Sequence, residues 1–351
     1  MRPKSLVVGL AATVALSLAT ACSSSEPDSS QAAPSSTTAS ARQSDPPKNL
    51  DGKVRIGIAA PVAQLILPFL ADEQGDFKKH GLSNVEVSFV PGPQLIPAAA
   101  GGAVDVAISA APSTELSALN GGALKIVGAW DKSALQFLVA RNGIKSPEEL
   151  KGKRVGVNGS KAGSSTILMN YALRKAGLKI EDVNIIALQD HGAQLQAYIG
   201  GQLDAMITSP PSLQRAQAAQ PDTQVIRNFD DLFFPENEII VNTKWSDNNP
   251  DQVVAVLAGL QDALQTWRTK PDLAKTLIAE KLKLDPAKDS ELVNVLYENT
   301  MKIFLQNIEP LTEDETRKIF ALLRDSGFPE AVDEKASTVI DGSYLEKALK
   351  K

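Results

Sequence analysis

The chain has 351 residues, with 36 Lys plus Arg against 41 Asp plus Glu, 43% apolar residues and one cysteine, Cys22. A net charge of −5 with no Lys/Arg-rich block argues against nucleic acid, whose phosphates demand a concentrated basic surface. One cysteine excludes an internal disulfide and a thiolate zinc site, and with only His80 and His191 as histidines no metal centre or cofactor is expected.

The first residues, Met1, Arg2, Pro3 and Lys4, precede an apolar run from Leu6 to Ala21. A basic start and a run shorter than the ~20 residues that span a bilayer predict a secretory signal over 1–21. The end of that run, Leu18-Ala19-Thr20-Ala21-Cys22, resembles the lipobox of a bacterial lipoprotein, which implies acylation at Cys22. From 22 to 50 the chain is rich in Ser, Pro, Ala and Thr and reads as a flexible tether, too poor in apolar groups to offset its own conformational entropy. Several acyl groups hold a chain firmly where one does so marginally, so the expected location is the extracytoplasmic face of the cell membrane.

Beyond Gly52 strands and helices alternate. Val54 to Ala59 reads as a strand, Ala63 to Gln74 as a helix stopped at Gly75, Val85 to Val90 as a strand and Gln94 to Gly101 as a helix. A strand from Val104 to Ser109, a helix from Pro112 and a strand from Leu124 to Trp130 complete one series. Leu135 to Arg141 reads as a crossing strand. A second series follows, with strands at Arg154 to Val157, Val183 to Leu188 and Asp204 to Thr208 and helices at Ser164 to Ala176, Asp190 to Ile199 and Pro211 to Ala218. Glu238 to Asn242 is apolar enough to return to the first sheet, and from Pro250 the pattern is helical. Apolar strands joined by helices imply an α/β protein with mainly parallel sheets.

Three segments carry a family resemblance: Leu70 to Leu82 with its Gly75-Asp76-Phe77-Lys78-Lys79 turn, Gly101 to Ala107, and Ile144 to Val157 followed by Gly163, Ser164, Ser165 and Leu173 to Leu178. Gly201-Gln202-Leu203-Asp204-Ala205 repeats the second of these. Together they resemble the substrate-binding proteins of ABC importers, in the branch that takes nitrate, sulfonates, taurine and thiamin-pyrimidine precursors. The resemblance implies a two-lobed periplasmic-binding-protein fold of type II. One lobe would be 51–140 plus 236–351 with the C-terminal helices on its outside, the other 141–235, with crossings near Arg141 and Phe234. It also implies a monomer that delivers a small-molecule solute to a permease driven by a cytoplasmic ATPase.

In open α/β sheets ligands sit beyond the carboxyl ends of strands, where helix starts present free N–H groups. That places the candidate site at Val62 and Gln64, at Ser109, Ala110 and Ser113, at Asn158, Ser160, Gly163, Ser164, Ser165 and Thr166, at Asp190, and at Thr208 and Ser209, with Glu238 at another strand end. Ser164 and Ser165 fit an oxyanion best, although serine at a helix start is equally a cap. Trp130 reads either as a wall against an organic ligand or as filling between lobes, and His191 as a contact or as a hinge residue. Lys151, Lys153 and Arg154 read as a solvated turn. The expected ligand is a small organic anion, sulfonate-like or carboxylate. A neutral or cationic heterocycle is the alternative if Asp131, Asp190 or Glu238 line the cleft. No G-x-S-x-G elbow, P-loop or G-x-G-x-x-G occurs, so an enzyme is not expected; the nearest rival would be one like the pyrimidine synthases, which use a cysteine-rich segment that this chain lacks after Cys22. A sensor module of the same fold is a further class.

Overall fold

The short apolar runs become ten strands among the residues described by the computed structural model, 50–159 and 163–350. These belong to one compact unit, Pro46–Lys351. The signal segment, Cys22, the tether up to residue 49 and Ser160 lie outside the described residues.

The first series runs β1 (Val54–Ile58), α1 (Leu67–Glu73), α2 (Asp76–Lys79), β2 (Val85–Phe89), α3 (Gly92–Ala100), β3 (Val106–Ser109), α4 (Ser113–Leu119) and β4 (Leu124–Ala129). The second runs β5 (Phe137–Ala140), β6 (Arg154–Asn158), α5 (Ser164–Lys175), β7 (Asn184–Leu188), α6 (His191–Ile199), β8 (Ala205–Thr208), α7 (Ser212–Ala219) and β9 (Gln224–Asn228). Then come β10 (Glu238–Asn242), α8 (Thr243–Asn248), α9 (Pro250–Thr269), α10 (Pro271–Lys281), α11 (Ser290–Ile303), α12 (Glu313–Asp325) and α13 (Ser343–Leu349).

Two five-stranded sheets result, ordered β2-β1-β3-β10-β4 and β7-β6-β8-β5-β9. β10 is antiparallel to both β3 and β4, and β5 to both β8 and β9, so in each sheet four strands share a direction and one opposes them. The opposing strand is in each case the one that arrives from the other sheet. The crossings therefore span 130–136 and 229–237. Two expectations change. The strand expected over Leu135 to Arg141 is present as β5, but it is an inner strand of the second sheet, so the first lobe gives way near Trp130 rather than near Arg141. β9 was not expected at all; its residues are half-buried or exposed at the sheet edge, which leaves little apolar periodicity to read.

The repeated Gly-Gly-x-x-Asp segments prove to be structural. The Asp105 carboxylate accepts from the Arg55 backbone N–H at 2.8 Å, from Nε at 2.9 Å and from Nη2 at 2.5 Å. Asp204 does the same for Arg154, at 2.9, 3.1 and 2.7 Å. Each clasp ties the amino ends of two neighbouring parallel strands, away from their carboxyl ends, and Arg154 is thus not merely a solvated turn residue. The lobes share a second device. Gly57 in β1 and Gly156 in β6 leave room for a leucine, since an added Cβ would lie 2.6 Å from Leu95 Cδ1 and 2.5 Å from Leu203 Cδ1.

Most of the C-terminal helical region packs on the first sheet. The buried face of α9, with Val253, Leu257, Leu260 and Leu264, joins the core of Ile56, Ile58 and Val106. α12 departs from the expectation that all these helices cover the first lobe. Its Phe320 and Leu323 enter the core of Leu168 and Leu173 from α5, while Ile319 sits with Ile126 and Ile240 of the first sheet. Asn170 of α5 donates to the Asp325 carbonyl at 2.9 Å. One amphipathic helix with a broad apolar face serves both lobes, and its sequence cannot say which lobe each residue will meet.

Candidate functional site

The carboxyl ends of β1, β2, β3, β6, β7 and β8, from both sheets, converge on one cavity of about 980 Å³. From the first lobe come the loop Ala59 to Val62 with Gln64 and Leu65, then Phe89 to Pro93, then Ser109, Ala110 and Ser113. The second contributes Asn158 and Gly159, Gly163 to Ser165, Gln189 to Gly192, Ser209, Pro211, Ser212 and Arg215. Gln136 and Glu236 from the two crossings form part of the wall. The two lobes present it in matched fashion: β3 leads through Ala110 and Ala111 to Ser113 at the start of α4, and β8 leads through Ser209 and Pro210 to Ser212 at the start of α7.

Of the residues singled out from the sequence, Val62, Gln64, Ser109, Ala110, Ser113, Asn158, Gly163, Ser164, Ser165, Asp190 and Ser209 line this cavity. Their availability differs. The Ser164 side chain, half-buried at the start of α5, has no hydrogen-bond partner among the described residues. Ser165 is only 4% exposed, and its hydroxyl donates to the Asn158 carbonyl at 2.8 Å and accepts from the Asn158 N–H at 2.8 Å. It stitches the end of β6 to α5, so its hydroxyl is spent on the fold. Asp190 caps α6, accepting from Ala193 N–H at 2.8 Å, which neutralises that helix start.

Four candidates lie elsewhere. Trp130 is fully buried among Val62, Leu65 and Leu135, and its Nε1–H donates to the Gln64 carbonyl at 3.1 Å; it fills the junction and meets no solvent. Thr208 is buried within β8 one residue before the cavity begins, and Thr166 is buried in the first turn of α5. Glu238 is 0% exposed. It opens β10, which runs against its neighbours, and its carboxyl lies against Glu115 and Thr114 instead of the cavity. Asp131 is likewise fully buried: it accepts from Glu236 N–H at 2.8 Å and from the Asn237 amide, linking the two crossings.

Sequence reasoning missed Arg215 and Glu236. Arg215 is an exposed cation of α7 with no ion-pair partner among the described residues, and nothing in its sequence context separates it from a solvated helix residue. Glu236 accepts from Leu135 N–H at 2.9 Å and from the Gln136 amide. Burial pushes its carboxyl above the usual range, opposed by those donors. His191, also in the wall, is held below the usual imidazole value by burial, against the opposing pull of Asp190; its Nδ1 has no partner among the described residues. It is therefore neutral at pH 7, an uncharged donor or acceptor. Among the described residues no group of three or more His, Cys, Asp or Glu is arranged to hold a metal. Hydroxyls, uncapped helix starts and an unpaired guanidinium suit a polar, anionic group.

Residues 63–274 match the model of the NMT1/THI5-like family. The chain belongs to that family. Relatives include a Brucella abortus protein named as a binding protein, 28% identical over 67% of this chain and 73% of its own. A Bacillus subtilis protein named for binding aliphatic sulfonates is 28% identical over 85% of this chain and 88% of its own. Among solved structures, the periplasmic aliphatic sulphonate binding protein SsuA of Escherichia coli superposes with a TM-score of 0.65 at 20% identity, covering 81% of this chain and 91% of that one. The desulfurization enzyme DSZB shares the architecture more distantly, at a TM-score of 0.59 and 14% identity over 85% of this chain and 99% of that one. The fold is that of the periplasmic binding proteins, with two α/β lobes and a helical C-terminal region.

Proposed function

We propose that this NMT1/THI5-like protein captures a small organic anion, sulfonate-like or carboxylate, between its lobes and delivers it to the permease of an ABC importer, without chemistry on the solute. The observation that carries this reading is the cavity at the carboxyl ends of both sheets, where Ser164, Ser212 and Arg215 offer hydroxyls and a positive charge that have no partner among the described residues. A solute that touches both half-sites favours the closed form, because only then do both lobes gain contacts from closure. The same reading has the protein act as a monomer at the extracytoplasmic face of the membrane, tethered by a lipid on Cys22. A cytoplasmic ATPase would drive the permease.

A neutral or cationic heterocycle is the second reading, favoured by Asp190 and Glu236 in the wall. Against it, Asp190 is engaged as a helix cap, and the Glu236 carboxyl already accepts two protein donors. Thermal unfolding of the purified protein with alkanesulfonates, carboxylates, nitrate, pyrimidines and amines decides between them, since a bound ligand raises apparent stability by mass action. Stabilisation by sulfonates or carboxylates, reduced by Arg215→Ala and Ser164→Ala, supports the anion. Stabilisation by pyrimidines or amines alone overturns it, and turnover of any of these compounds overturns the binding role.

A further inference from the structure

Four large apolar side chains stand exposed among the described residues, Phe89, Val225, Val332 and Leu349, and of these Phe89 alone lines the cavity. It closes β2, an edge strand of the first sheet, and is 38% exposed. Its ring is not a loose tip. The Phe69 ring of α1 lies against it, centroids 5.0 Å apart. Lys281 Nζ sits 4.8 Å from the centre of the Phe69 ring on a cation–π contact, and is itself fixed by Glu73 at 2.7 Å and Glu280 at 2.7 Å. A stack of two rings, a lysine and two carboxylates thus holds an aromatic face at the cavity wall, where it meets water. In the same wall the first lobe adds Val62, Leu65, Pro93, Ile96 and Leu282 together with the polar Ser109, Ser113 and Lys283, while the guanidinium of Arg215 and the Ser164 hydroxyl, both without a partner among the described residues, belong to the second lobe.

We propose that Phe89 is the residue that selects the solute's body: the site takes an amphiphilic anion whose bulky apolar part packs on the Phe89 platform while its anionic head faces the second lobe. This rests on the anion reading above and narrows it. The size of the cavity points the same way. At about 980 Å³ it lies at the upper end of the roughly 300–1,000 Å³ that enclose drug-sized ligands, so a bare inorganic anion or a one-carbon sulfonate leaves most of it to water. Apolar contact is also the one gain that Phe89 can make, since a phenyl ring offers an anion no hydrogen bond.

The test is calorimetric titration of the purified protein and of its Phe89→Ser, Phe89→Leu and Arg215→Ala variants with nitrate, methanesulfonate, hexanesulfonate and naphthalenesulfonate. Affinity is expected to rise at least about tenfold from methanesulfonate to the larger sulfonates, a step worth ~1.4 kcal/mol. Phe89→Ser should remove most of that rise while leaving methanesulfonate unchanged, Phe89→Leu should keep part of it, and Arg215→Ala should weaken every sulfonate by a similar factor. Equal affinity across the series, or a Phe89→Ser loss that is the same for small and large sulfonates, overturns the role of Phe89 and leaves the anion reading standing. Failure of every anion to bind overturns both.

Discussion

Replacing Glu238 by Gln should stabilise the protein, and should do so only as the pH rises. Glu115 and Glu238 are both 0% exposed, their oxygens find no donor of good geometry among the described residues, and no basic group pairs with them. Burial pushes Glu115 up to about 7, and burial with repulsion from Glu115 pushes Glu238 well above its ordinary value. In the unfolded chain both carboxyls titrate near their ordinary 4.5. Between that value and about 7 the folded state therefore holds more protons than the unfolded one, so stability is full below about 4.5 and is lost as the pH rises through about 7. At Glu115 alone the span from 4.5 to about 7 corresponds to roughly 3 kcal/mol. Asp131 and Glu236, also raised by burial, act with the same sign. Thermal unfolding at constant ionic strength from pH 5 to pH 8 should show the melting temperature falling by about 5 °C or more. Glu238→Gln removes one of the two charges and supplies an amide donor to Glu115, so its melting temperature should fall less and lie above that of the parent at pH 8. A parent whose melting temperature is flat or rising over this interval, or a variant with an unchanged slope, refutes the reasoning.

Ser165→Ala removes a buried hydroxyl that both donates to and accepts from Asn158, and should cost about 1–2 kcal/mol in urea unfolding, whereas Ser164→Ala should leave stability unchanged and weaken solute affinity in a titration. Asp204→Ala opens a clasp of three hydrogen bonds at the far end of the second sheet; a loss of about 1–3 kcal/mol in urea unfolding is expected, with solute affinity unchanged. Gly156→Ala places a methyl group 2.5 Å from Leu203 Cδ1 inside a packed core, which should cost about 1–3 kcal/mol by the same measurement.

The strand-and-helix alternation, the return of Glu238 to Asn242 to the first sheet and the gathering of strand-end serines were legible in the chain, because each depends on local pattern. A short, β-branched apolar run bounded by turns reads as a strand, and in such folds strand ends are where ligands go. The same local logic could not separate Ser164 from Ser165. Adjacent serines at one helix start differ only in which way each points, and that is set by Asn158, which lies across the loop. Nor could it separate Glu236 from Glu238, which sit two residues apart yet one faces the cavity and the other Glu115. Trp130 looked suited to a ligand wall by type and place, but the packing of Gln64, Val62 and Leu135 enclosed it. Arg215 and Phe89 carried no signal at all, since a helix arginine and a strand phenylalanine are ordinary until another lobe is brought opposite. Sequence by itself determined most of the elements, though not β9, together with their order and the family to which they belong, since these follow from short-range periodicity and contiguous motifs. Only the tertiary structure decided which side chains face the cavity, because that depends on contacts between segments 50 to 183 residues apart, whose mutual orientation no local pattern encodes.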